Sequence, residues 1–240
     1  MNILEVKNLL YYYQDGSKKR IILEGVNASF ERGKFYTILG ESGSGKTTFL
    51  SLISALDAPK EGVILYEGKD IREIGYERYR RNMIAIVFQN YNLVQYMTAV
   101  ENVLVAMGIT ENRIEGDYKE VAYGLLEKIG IDRQTANRRV TRLSGGEQQR
   151  TAIARALSTN VDIIMADEPT GNLDHDTSEG IIELFMNLAH EMNKCVIMVT
   201  HDLNIAEKSD VILRLDSHTK RFEENRPNKN TSEFDVFYSV

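Results

Sequence analysis

Short, nearly unbroken apolar runs recur along the chain. They are Phe35-Tyr36-Thr37-Ile38-Leu39, Ile84-Ala85-Ile86-Val87-Phe88, Ile163-Ile164-Met165-Ala166, Val196-Ile197-Met198-Val199 and Val211-Ile212-Leu213. A strand with one wet face alternates apolar and polar residues, so continuous runs predict strands buried on both faces. Between the runs, apolar residues return at helical spacing: Phe49 to Ile53, Ile153 with Ala154 and Leu157, and the stretch near Ser178 to Met192. Alternation of this kind predicts an α/β fold, a mainly parallel sheet with helices on both faces. The first residues read differently. Ile3 to Val6, Ile21 to Leu23 and Val26 to Phe30 are short strands around the polar turn Gln14-Asp15-Gly16-Ser17, and Val63 to Tyr66 is another strand after Pro59-Lys60-Glu61-Gly62. From Asn90 to about Thr141 the pattern is helical throughout, with Val100, Val103, Leu104 and Met107 on one face, then Val121, Leu125, Leu126 and Ile129. These positions predict an inserted helical subdomain over about residues 90–158 within a domain of residues 1–216. From Ser217 the chain turns polar, and residues 217–240 read as a short irregular tail.

One of the buried-strand patterns, Phe35 to Leu39, runs into Gly40-Glu41-Ser42-Gly43-Ser44-Gly45-Lys46-Thr47-Thr48, and a helical pattern follows. Strand, glycine-rich turn and helix N-terminus are what a phosphate-binding loop requires. Gly40, Gly43 and Gly45 let the backbone curl with its N–H groups inward, around Ser42 and Ser44. The first free N–H groups of the helix, near Thr48, add a positive dipole end. Lys46 is placed to reach β- and γ-phosphates, and the Thr47 hydroxyl to ligate Mg²⁺.

The run at Ile163 ends in Asp167-Glu168, and open α/β sheets bind ligands at the carboxyl ends of their strands. Asp167 fits the holding of Mg²⁺ and Glu168 the orientation and deprotonation of a water. Ser144-Gly145-Gly146-Glu147 opens another helix and offers a second anion site.

Composition changes the picture only a little. For 240 residues, 42% hydrophobic and 27% charged content is ordinary for a soluble globular protein, and the net charge of -6 argues against nucleic acid as a partner. The single cysteine, Cys195, lies in an apolar run and reads as a buried, inert thiol. No basic stretch followed by an apolar core opens the chain and no run reaches the length of a membrane span, so a cytoplasmic protein is expected.

Leu143-Ser144-Gly145-Gly146-Glu147, set after the phosphate loop and Gln89 and before Asp167-Glu168 and His201, resembles the signature of the ATP-binding-cassette (ABC) transporter ATPases. The resemblance covers about residues 3 to 216. It implies the ABC-ATPase form of the P-loop NTPase fold: a RecA-like, mainly parallel core sheet, an N-terminal antiparallel β-subdomain and an inserted α-helical subdomain. It implies ATP and Mg²⁺ as ligands, with Ser144, Gly145, Gly146 and Glu147 closing on ATP held by the other copy of a head-to-tail homodimer. Asp174, in Gly171-Asn172-Leu173-Asp174, would couple the two sites. Gln89 matches the glutamine that contacts Mg²⁺ and the attacking water, and His201 the switch histidine at the γ-phosphate. An aromatic residue under the adenine is expected among Tyr11, Tyr12 and Tyr13. Alignment on Lys7-Asn8-Leu9 favours Tyr13, and packing within a small sheet is the competing account for any of the three. Glu41 stands where many members carry proline, which implies weaker nucleotide affinity.

Thr98-Ala99-Val100-Glu101-Asn102-Val103 and Asp167-Glu168-Pro169-Thr170-Gly171-Asn172-Leu173-Asp174 resemble the macrolide-exporter and lipoprotein-release group. That resemblance implies an integral-membrane permease partner, docked on the stretch Gln89 to Met97, and a location on the inner face of the cell membrane. A soluble member acting on a protein scaffold, as in iron–sulfur cluster assembly, is the alternative.

Overall fold

The computed structural model describes residues 2–16 and 18–225. Two long strands, β1 (Asn2–Asp15) and β2 (Lys18–Glu31), form an antiparallel hairpin. They join β4 (Glu61–Tyr66) and β5 (Lys69–Asp70) in a four-stranded sheet of order β2-β1-β4-β5. The separate short strands expected here are one continuous hairpin, because register shifts around Val6, Leu9 and Tyr11 absorb its polar interruptions without ending either strand.

The second sheet has order β10-β9-β3-β8-β7-β6. Its strands β3 (Phe35–Leu39), β6 (Ile84–Phe88), β7 (Ile163–Asp167), β8 (Cys195–Thr200) and β9 (Val211–Leu215) run parallel. The last strand, β10 (Phe222–Asn225), is antiparallel to β9. Residues 222–225 therefore correct the expectation of an irregular tail from Ser217. Asp216 accepts from the backbone N–H groups of His218 (2.9 Å) and Thr219 (2.5 Å), which reverses the chain, and Phe222 packs edge-on against Phe49 at 4.7 Å between ring centroids. The remainder of that tail, residues 226–240, lies outside the described residues.

The unbroken apolar runs are explained by two-sided burial. Ile163 and Met165, Cys195 with Ile197 and Val199, and Tyr36 with Ile38 face one core, shared with the N-terminal sheet and helix α1 (Lys46–Ile53). Ile164 and Ala166, Val196 and Met198, and Phe35 face the other. Helices α7 (Gly145–Ser158) and α8 (His175–His190) cover that second side. Cys195 is fully buried, and burial pushes its thiol well above the ordinary range.

Two short helices, α2 (Ile71–Ile74) and α3 (Tyr76–Asn82), lead into β6. Beyond β6, α4 (Ala99–Ile109), α5 (Tyr118–Lys128) and α6 (Arg133–Ala136) enclose a third apolar cluster around Val103, Met107 and Leu126. Helix α7 serves both sides: Ala154 packs in the helical cluster, while Ile153 and Ala156 pack on the core sheet. Both α4 and α7 begin with reciprocal capping boxes, Thr98 with Glu101 and Ser144 with Glu147. A final short helix, α9 (Leu203–Glu207), follows β8.

Candidate functional site

Strand β3 ends at Leu39 and α1 begins at Lys46, so the intervening turn carries its N–H groups at the carboxyl edge of the sheet. Gly45, the residue before α1, has φ 109°, and a Cβ there would sit 2.9 Å from Ile22 Cγ2. Only glycine fits both requirements. Lys46 is buried, and its Nζ donates to the carbonyl oxygens of Gly40 (2.7 Å) and Glu41 (2.9 Å). Burial lowers its affinity for the proton, against the pull of Glu168 and Asp167.

Asp167 closes β7 beside this loop, and Thr47 Oγ1 donates to its Oδ1 at 3.3 Å. Burial raises the Asp167 pKa, offset by the Thr47 hydrogen bond and reinforced by the neighbouring Glu168. Glu168 has φ 44°, a left-handed conformation that a glutamate adopts at a cost of order 1–3 kcal/mol. Its N–H donates to Val199 O at 3.0 Å, its carbonyl accepts from Gly171 N–H at 3.1 Å, and its Oε1 lies 3.0 Å from His201 Nδ1. The strained residue is thus held from three directions, with its carboxylate at the sheet edge.

Tyr13, Arg20, Ile22, Ser42, Gly43, residues 45–48, Glu168 and His201 share one cleft of about 520 Å³. Among the three tyrosines, Tyr11 is 4% exposed and its hydroxyl donates to Asp57, whereas Tyr13 is 52% exposed and lines the cleft. Lys19 and Lys60 lie over the Tyr12 ring. Tyr13 alone of the three lines the cleft with the loop that precedes α1. Arg20, which the sequence did not single out for the site, pairs with Tyr13 across the hairpin and lines the same cleft. The signal that finds it is register: equal steps back from the turn bring the two side chains to one face. Glu41 does not line the cleft; its Oε2 accepts from Ser217 Oγ at 3.1 Å, so its charge is directed away from the loop.

The remaining candidates gather elsewhere. Ser144 is exposed, with its Oγ accepting from Glu147 N–H (3.3 Å) and its own N–H donating to Glu147 Oε2 (2.7 Å). A Cβ on Gly145 would lie 3.4 Å from Leu173 and one on Gly146 2.6 Å from Thr177, so this helix start abuts the segment holding Asp174. Asp174 caps α8, accepting from Thr177 N–H (3.0 Å) and Thr177 Oγ1 (2.8 Å), which holds its carboxyl below the usual range. None of Ser144 to Glu147, nor Asp174, lines the 520 Å³ cleft. Gln89 also stands outside it: its Nε2 lies against Gly171, and Asn172 Nδ2 donates to its carbonyl at 3.2 Å.

Among the described residues no group of three or more His, Cys, Asp or Glu side chains converges as a metal cage. A hydroxyl and one half-buried carboxylate, Thr47 and Asp167, beside a glycine-rich loop are instead the donors that suit Mg²⁺ arriving with a phosphate ligand.

The ABC transporter family profile matches residues 23–171. The chain is 50% identical over 225 residues to the uncharacterized ABC transporter ATP-binding protein YclH of Bacillus subtilis, covering 94% of this chain and 98% of that one. It is 38% identical over 218 residues to the macrolide export ATP-binding/permease protein MacB of Mannheimia succiniciproducens, covering 90% of this chain and 33% of that protein. A dimeric structure of the ATP-binding cassette MJ0796 from Methanocaldococcus jannaschii, in a post-hydrolysis state bound to ADP and Pi, superposes with TM-score 0.84 at 35% identity, covering 94% of this chain and 99% of that one.

The electrostatics of Asp167 give a testable consequence. A carboxyl whose folded-state pKa is raised costs stability when ionised, fully so above its folded value and not at all below its unfolded one. Asp167→Asn is therefore expected to raise the melting temperature of the nucleotide-free chain at pH 7, with the gain vanishing as pH falls below the ordinary aspartate range. Thermal unfolding across that pH series checks it; equal melting temperatures at pH 7 would show that Asp167 carries no burial penalty.

Proposed function

The chain belongs to the ABC transporter family as an ATP-binding and ATP-hydrolysing subunit, and we propose that the cleft from Tyr13 to His201 is where it binds Mg²⁺–ATP. The observation that carries this reading is convergence. An exposed aromatic ring, a buried ammonium group, the Thr47 hydroxyl and a strained glutamate meet on one cleft at the sheet's carboxyl edge, with Asp167 hydrogen-bonded behind Thr47.

Tyr13 stacks on the adenine. The backbone N–H groups from Gly40 to Thr48 cradle the phosphates, and Lys46 turns from its two carbonyls to the β- and γ-phosphates. Thr47 and Asp167 hold Mg²⁺, which supplies charge neutralisation of the phosphoryl oxygens when bound. Glu168 orients a water for in-line attack and draws off its proton, and His201, hydrogen-bonded to Glu168, stands where it can reach the γ-phosphate. Gln89 joins the site by leaving its contact with Gly171. Ser144, Gly145, Gly146 and Glu147, with Asp174, lie off the cleft of their own chain and complete the site of a second copy in a head-to-tail homodimer.

The partner moved by this cycle is an integral-membrane permease subunit. We assign its docking site to an apolar groove of about 280 Å³ beside β6, the edge strand of the core sheet, between α3, α4 and α7. Leu56, 53% exposed, and Ile109, 60% exposed, flank Ile86 and Phe88 there. This differs in part from the expectation placed on Gln89 to Met97. Tyr91 and Leu93 of that stretch pack partly buried against the core, and Tyr96 is 75% exposed. Among the described residues no helix is long and apolar enough to cross a membrane. The name of MacB joins an ATP-binding part and a permease part in one chain and concerns macrolide export; none of the three relatives' names supports the scaffold alternative.

Glu168→Gln is expected to bind Mg²⁺–ATP with near-normal affinity while hydrolysing it orders of magnitude more slowly, and to accumulate as an ATP-bound dimer on size exclusion. Near-normal turnover would remove Glu168 from the chemistry. Ile109→Glu is expected to leave the ATPase rate of the isolated chain intact and to shift the chain in cell fractionation from the membrane pellet to the supernatant. Retention in the pellet would place the docking site elsewhere.

A further inference from the structure

Arg155, in the second half of α7, donates from Nη1 to Asn92 O at 2.5 Å and from Nη2 to Tyr91 O at 3.0 Å. Those carbonyls belong to two consecutive left-handed residues, Tyr91 at φ 59° and Asn92 at φ 47°, just beyond Gln89. Burial disfavours the Arg155 charge, and no carboxylate among the described residues pairs with it. Two costs therefore coincide at one joint: a partly desolvated guanidinium and two non-glycine residues in the left-handed region. Backbone strain persists where the surroundings over-determine it. Here the fork geometry of the guanidinium does so, gripping both carbonyls at once.

The same loop touches α7 at a second point. A Cβ on Gly145 would lie 3.0 Å from the Tyr91 hydroxyl, so the Tyr91 ring reaches the start of the helix while its carbonyl is held near the end. Gln89, by contrast, is tied to the segment before α8 through a single hydrogen bond, from Asn172. The loop is thus gripped by α7 near both ends of that helix, in addition to the packing of Tyr91 and Leu93 against the core.

We propose that Arg155 is a positioning residue for ATP hydrolysis, clamping the loop that carries Gln89 to α7 so that Gln89 and Ser144 to Glu147 move as one body. The clamp makes the approach of Gln89 to its own cleft and the approach of Ser144 to the partner's cleft a single motion. Arg155 also lines the groove beside β6, so a permease segment seated there touches the residue that sets this motion. The proposal rests on the reading of Gln89 and Ser144 as parts of ATP sites.

The experiment compares Arg155→Met, which keeps the apolar stem, with Arg155→Lys, which can grip one carbonyl at a time, using Mg²⁺–ATP and the isolated full chain. Arg155→Met is expected to keep its affinity for ATP within about twofold, because Tyr13 and the phosphate loop are untouched, and to lower kcat about tenfold or more. Arg155→Lys should recover part of that loss. Hydrogen exchange supplies the readout that a merely structural role would not move. In the unaltered chain, ATP should protect residues 89–93 and 144–150 together; in Arg155→Met, protection of 144–150 should no longer bring that of 89–93. Unchanged kcat, joint protection as before, or a loss of ATP affinity matching the loss of kcat would each overturn the clamp. Gln89→Ala keeps the two claims apart. A normal kcat in Gln89→Ala refutes the role given to Gln89 in the site, whereas a lowered kcat there with a normal Arg155→Met refutes the clamp alone.

Discussion

A buried ammonium group sets the terms for the rest of the structure. Lys46 is 6% exposed, held by two carbonyl oxygens, with Asp167 and Glu168 as the nearby charges. Desolvating a cation is costly unless it is paired. On the proposed reading a triphosphate would supply the missing charge, so the loop that creates the cost is also the loop whose N–H groups would recover it. Asp167 carries the mirror-image cost, a half-buried carboxyl with a raised pKa, which a divalent cation would relieve. The cleft is preorganised for a charged ligand at the expense of the ligand-free fold.

Two-sided burial of the parallel sheet is what fixes these groups in place. Strands β3, β7 and β8 are packed on both faces, and their carboxyl ends deliver the glycine-rich loop, Asp167 with Glu168, and His201 to one edge. This much was legible in the sequence, since continuous apolar runs ending in a glycine turn, an acid pair and a histidine have few other uses. The signature helix was legible too: Ser144 and Glu147 form the capping box that their spacing allows.

Other features were hidden for identifiable reasons. The N-terminal hairpin read as short strands because its inward residues alternate with polar ones, so its length depends on register and not on any local run. Arg20 carried no local signal, since its cross-strand pairing with Tyr13 emerges only from the hairpin register. Strand β10 contains a single apolar residue, Phe222, whose partner Phe49 is distant in sequence. Arg155 is one charge on an amphipathic helix, and its targets are backbone carbonyls, which no side-chain pattern reveals.

The central claim is that the chain carries halves of two different active sites, the phosphate loop for its own ATP and the Ser144 helix start for the ATP of a second copy. Mixing tests this most directly. Lys46→Ala and Ser144→Arg chains are each assayed alone and then after equal mixing, with heterodimer formation verified. Random pairing makes half of the dimers mixed, and each of these has one intact site and one doubly broken site, so the account predicts two inactive preparations and recovery of up to about a quarter of the unaltered rate. An active Ser144→Arg preparation on its own would contradict it.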